Sequence, residues 1–218
     1  MALGDDKMQA VARWMACLFA LLVFAISGPA FAAVCAPATS QGTAPASWQT
    51  YCWLDFSSYN DTTAKSGAGQ NFSYTLSDGA TLTFNVKASG TPGVVSTAAP
   101  SWSGAAVGNT AFLGIPNKPI LYQTAGGTTT ITISAIAITP PPGSPAVTAY
   151  MFVGADAEST NNGESLAFNT NGGNWAILDQ VDPISGNIYP TISGENTATF
   201  TETGVAGTVG GYIVGSTS

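Results

Sequence analysis

From residue 48 onward, apolar and polar side chains alternate, or the apolar ones come in short runs broken by Gly, Asn and Pro. Period-two alternation marks half-buried strands, and no stretch after Trp48 holds a helical period for a useful length. In Thr81-Leu82-Thr83-Phe84-Asn85-Val86, the residues Leu82, Phe84 and Val86 share one face and the polar residues the other. With residues 70–76 ahead of it and Ser77-Asp78-Gly79 as the turn, this segment predicts a hairpin of 70–76 with 80–87. Residues 120–123 and 128–138, on either side of Ala125-Gly126-Gly127, predict a second hairpin. Its isoleucines change phase between Ile133 and Ile136, which predicts a bulge near Ser134-Ala135. Pro140-Pro141-Pro142-Gly143 then ends the strand. Residues 149–154 read as a short central strand, and 165–170 with 174–178 as a third hairpin around Asn171-Gly172-Gly173. Residues 197–201 and 208–214 close the chain, while 90–114 read as a long loop that carries Trp102. The sum is an all-β protein, an antiparallel β-sandwich of roughly eight to twelve strands.

The N-terminus is patterned differently. Residues 1–13 carry Lys7 and Arg13, residues 14–26 are almost wholly apolar, Ser27-Gly28-Pro29 breaks a helix, and Ala30-Phe31-Ala32 offers small residues. A positive region, an apolar core and an A-x-A site, in that order, predict a secretory signal peptide over residues 1–32. The apolar run is shorter than the ~20 residues of a bilayer span. The chain is therefore expected to be exported, to the extracellular space, the cell surface or the periplasm, with no membrane span after cleavage. Cys17 leaves with the signal, and the remaining pair, Cys35 and Cys52, reads as a disulfide in an oxidising compartment. Residues 33–47 contain APATSQGTAPAS, which has no periodicity and reads as a flexible N-terminal tail. The sandwich domain is expected to occupy residues 48–218.

Composition removes several chemistries. The formal net charge is −7, and the only cations beyond residue 32 are Lys65, Lys87 and Lys118. An acidic chain with no arginine there has neither the planar fork that grips phosphate nor the field that attracts nucleic acid, so no nucleic-acid partner is expected. Histidine is absent throughout. That removes Ser-His-Asp and Cys-His catalysis, histidine metal sites and the commonest general base. No enzymatic activity is expected.

Two features remain as candidate binding chemistry. Residues 155–165 (ADAESTNNGES) concentrate Asp156, Glu158 and Glu164, with Asn161 among them. Carboxylate, amide and carbonyl oxygens on a loop after a strand are what Ca²⁺ accepts, so Asp156, Glu158 and Glu164 are the candidate ligands of a Ca²⁺ site. The spacing matches no named calcium loop, and a solvated acidic loop is the simpler reading. Two of Asp156, Glu158, Glu164 and Asp179 would serve a glycosidase only with one carboxyl in an apolar cleft. Trp102, flanked by Ser and Gly, is the candidate exposed platform for a sugar ring or protein partner, whereas Trp53 and Trp175 sit in strand-like runs and read as core.

Several blocks in order carry a resemblance. They are Tyr51-Cys52-Trp53-Leu54-Asp55-Phe56, Gln70-Asn71-Phe72-Ser73-Tyr74-Thr75-Leu76 with Asp78-Gly79, and Thr110-Ala111-Phe112-Leu113-Gly114-Ile115-Pro116. Asp156-Ala157-Glu158-Ser159-Thr160 with Gly163-Glu164-Ser165 and the closing residues 204–215 complete the set. Together they resemble the lectin-like non-repetitive domain of CshA-type bacterial surface adhesins, over residues 48–216. The resemblance implies a lectin-like, jelly-roll-like sandwich that attaches a cell surface to a matrix glycoprotein or glycan. The expected function is a secreted or cell-surface adhesion module whose sandwich-end loops bind that ligand. Trp102, Asp156, Glu158, Asn161 and Glu164 are the expected contacts, and a Ca²⁺-dependent carbohydrate-binding module is the alternative. Adhesins of this type carry repeats and an anchor after the domain. The sequence stops at Ser218, so a stand-alone secreted domain and a piece of a longer adhesin are both expectations.

Overall fold

The computed structural model describes residues 33–101, 105, 107–157, 160, 162–181, 188–207 and 211–218. The segment read as a signal peptide lies outside them, and Ala32–Ser218 forms one compact unit. In chain order the strands are β1 (Ala33–Val34), β2 (Ser40–Gly42), β3 (Gln70–Thr75), β4 (Thr81–Thr91), β5 (Val94–Thr97), β6 (Ala111–Leu113) and β7 (Ile120–Gln123). They continue with β8 (Thr128–Thr139), β9 (Met151–Ala155), β10 (Ser165–Asn169), β11 (Ala176–Val181), β12 (Thr191–Ser193), β13 (Thr199–Thr203) and β14 (Gly211–Thr217). One turn of helix, α1 (Asp61–Ala64), is capped by the Asn60 side chain, which accepts from the Thr63 amide. The protein is all-β. No helix among the described residues is long and apolar enough to cross a membrane.

The strands form a four-stranded sheet in the order β1-β3-β4-β8, two three-stranded sheets, β10-β13-β12 and β11-β14-β9, and two ribbons, β2-β6 and β5-β7. The predicted β3–β4 hairpin is present, with Phe72 opposite Phe84. Its inner face buries Phe72, Tyr74, Phe84 and Val86, with Phe56 and Cys35 laid across them. The predicted bulge is present too. Asn85 opposes Ser134 and Thr83 opposes Ala137, so Ala135 and Ile136 together face the single residue Phe84. Ala135 takes the extra step in the left-handed region (φ 53°). The step restores Ile136 to the inward face that Ile131 and Ile133 occupy.

Two predicted hairpins are not formed. β7 pairs with β5 and β8 with β4, although a glycine turn joins β7 to β8. Likewise β10 pairs with β13 and β11 with β14, so Asn171-Gly172-Gly173 carries the chain from one sheet to the other. In both places the turn chemistry is right, but the apolar faces find better partners further along the chain. The segment 149–154 is also not central: β9 is an edge, and β14 holds the middle of its sheet. Residues 33–47 are not a flexible tail. β1 pairs in parallel with β3, β2 pairs with β6, and Ala38 and Ala44 are buried against Phe112 and Val107. Their small side chains, which look like linker composition, fit where a larger one would not. The Cys35–Cys52 disulfide closes this segment onto the domain.

The two three-stranded sheets face each other across a core of Trp175, Phe200, Tyr212 and Val214, with Phe152, Phe168 and Ile192 packed around it. Gly154 on β9 makes their close approach possible, since a Cβ there would sit 2.7 Å from the Phe168 ring of the facing sheet. Behind β14, Ile213 joins a second core built on Phe112, Val107 and Ile115. β14 is therefore covered on both faces, which explains why Gly211 through Ser216 are all buried without alternation.

Candidate functional site

Strand β13 alternates as outward Thr199, buried Phe200, half-buried Thr201, buried Glu202 and outward Thr203. The period of two that sends Phe200 into the sandwich core also sends Glu202 there. Glu202 is 0% exposed, and neither carboxyl oxygen has a hydrogen-bond partner. The other fully buried polar residues among those described are bonded: Ser216 donates to the Gly173 carbonyl at 2.6 Å, and Thr160 donates to Asp156 Oδ2 at 2.8 Å, while single buried polar atoms on Gln49, Trp53, Asn85, Gln123 and Trp175 also lack a partner. Burial, and after it the Asp156 carboxylate, pushes the Glu202 carboxyl up to about 8, and the Tyr212 amide pulls the other way without reaching hydrogen-bond geometry. Asp156, the charge that acts on Glu202, sits at the end of the sheet, where it follows β9 and lies beside Gly211 at the start of β14.

Of the residues expected from the sequence, Trp102, Glu158 and Asn161 lie outside the described residues. Asp156 is half-buried and engaged as above, while Glu164 is exposed ahead of β10, its backbone carbonyl accepting from Gly204 at 3.0 Å. Asp179 lies apart on β11, where burial and then its charge push the Tyr51 hydroxyl up. Among the described residues no three His, Cys, Asp or Glu side chains converge. Glu202 has the raised pKa a glycosidase acid needs, but with no exposed surface its oxygens reach no substrate. The signal that points to Glu202 is its spacing from Phe200, one full strand period beyond a core aromatic.

A second feature is an open groove of about 480 Å³, within the range of small-ligand sites. It runs along β8 at the bulge, from Thr132 to Ile136, and is closed on its far side by Tyr150, Asn169, Thr170 and Asn171. Asn169 accepts from the Thr199 hydroxyl at 2.8 Å, and the Thr170 and Ser216 hydroxyls are paired at 3.1 Å, which fixes the wall. No charged side chain lines it.

These features define a sandwich with a polar, uncharged groove and, among the described residues, one acid, Glu202, drawn into its core. Residues 49–217 match the family of the surface adhesin CshA non-repetitive domain 2, and the chain belongs to that family. Membership implies a non-enzymatic role at the cell surface or outside the cell. No curated protein matches the chain. No solved structure matches it either.

Proposed function

We propose that the domain is an adhesion module that attaches its bearer to an external glycan or glycan-bearing matrix protein. The observation that carries this reading is the adhesin-family match across residues 49–217. The groove chemistry favours a hydroxyl-rich ligand over a polyanion. Its amides, hydroxyls and one tyrosine ring can hydrogen-bond and stack on a sugar, and the acidic chain would repel phosphate or sulfate. The bulge at Ala135 shapes the groove floor, in keeping with the tendency of bulges to sit beside sites they re-aim. The loop bearing Asp156 and Glu164 is the second contact surface, at the end of the sandwich where recognition loops gather.

The test is binding of the purified protein to a glycan and matrix-glycoprotein array, repeated with Tyr150→Ala and Asn171→Ala. Loss of capture in both variants, with unchanged melting, supports the groove. Capture that survives both moves the site to the loop at Asp156. Absence of any captured glycan or glycoprotein would sink the adhesion reading itself.

A further inference from the structure

We propose that Asp156 and Glu202 bind a divalent hard cation of the calcium class, with the buried Thr160 hydroxyl holding Asp156 in place. Glu202 is 0% exposed and unpartnered at both oxygens. A buried carboxylate needs a countercharge, donors or a proton. The chain supplies no countercharge here. Lys65 is paired with Asp61 at 2.9 Å, Lys87 lies on β4 in another sheet, Lys118 precedes β7, and no arginine or histidine follows residue 32. No donor is bonded to it. Thr160 donates to Asp156, not to Glu202, and the Tyr212 hydroxyl, which accepts from the Gln180 amide at 3.4 Å, makes no bond to either Glu202 oxygen.

The neighbour that is present, Asp156, makes the position worse for a bare anion and better for a cation. Two carboxylates and a hydroxyl form an all-oxygen set of the type hard cations take, and carbonyls and water complete such shells. Softer metals have nothing to hold, because histidine is absent and Cys35 and Cys52 are joined to each other. A set with only two carboxylates belongs to the weak end of calcium binding, the range of about 10⁻⁴–10⁻³ M used by extracellular modules. This inference concerns Glu202, which the loop reading of the sequence did not include, and it does not depend on the adhesion reading.

Melting of the purified protein in calcium and in chelator tests it, with terbium as a luminescent probe sensitised by Tyr212 and Trp175. At a hundredfold excess over the dissociation constant, calcium should raise the Tm by about 5–10 °C. Glu202→Gln should weaken terbium binding by at least about tenfold and lose the calcium shift, while melting in chelator no lower than the parent. Asp156→Asn gives the same readout independently, should the first variant fold poorly. A Tm indifferent to calcium at about 100 mM, a hundredfold over the weakest dissociation constant expected, overturns the proposal and leaves a shared proton as the state of the pair. A full calcium response in both variants overturns it too, since the ion would then sit elsewhere. Glycan capture that persists through a negative calcium result leaves the adhesion reading standing.

Discussion

Glu202 also sets an expectation for pH. Without a divalent ion its carboxyl sits at about 8 in the folded protein, against 4.5 for a free side chain. The folded state therefore keeps a proton that the unfolded chain has released, so this group subtracts stability as pH rises from about 4.5 to 8 and no further above that. The loss is of order 2–5 kcal/mol. No histidine titrates in the same window, so the trend should be readable directly. In chelator the parent's Tm is expected to fall between pH 5 and pH 8, and Glu202→Gln to stay nearly flat and melt higher at pH 8. Parallel curves for the two proteins would place the carboxyl in water. At this scale the sequence is read with uneven success. Asp156 stands out because acids cluster around it, whereas Glu202 is hidden in a Thr-rich strand where one acid looks like solvent-facing polarity. What decides its environment is Tyr212 and the facing sheet, which are distant in pattern even where they are near in number.

Among the elements, local pattern foretold those whose partners are also local. The β3–β4 hairpin and the β8 bulge follow from alternation and its change of phase, because each is settled by residues within one strand or its neighbour. The β7–β8 and β10–β11 pairings could not be settled that way, since a glycine turn permits a hairpin without requiring one. The bulge offers a sharp test. Ala135 holds φ 53°, which glycine adopts freely and a β-branched residue resists. Ala135→Gly should be neutral or stabilising by up to about 1 kcal/mol, and Ala135→Val should cost about 1–3 kcal/mol, as read from denaturant midpoints. Equal effects would mean the extra residue is carried elsewhere in the strand. β14 is the other sensitive element. Ile213 is 1% exposed in the core behind the sheet, so Ile213→Ala should cost about 2–5 kcal/mol, measured the same way.

For the whole molecule, three apolar clusters are distributed between the four-stranded sheet, the facing pair of sheets and the layer behind β14. The alternation made the layered all-β architecture legible. The role of residues 33–47 was not, because alanines that fill a tight core and alanines that fill a linker are written alike. The Cys35–Cys52 bridge spans 17 residues and fastens this segment. Its reduction, or replacement of both cysteines by alanine, should cost about 3 kcal/mol, read as a lower denaturant midpoint and earlier proteolysis near Ala38. The last strand has a consequence of a different sort. β14 lies between β11 and β9 and is antiparallel to both, with paired residues along nearly its whole length. A tether continuing from Thr217 would pull along the strand axis, so that both ladders resist in shear, all rungs at once, rather than opening one rung at a time. For a protein whose family holds cells against a surface, such a strand is a mechanical clamp. Tugged from its C-terminal end, the domain should give way in a single abrupt event at high force, after its grip on a ligand has already been tested.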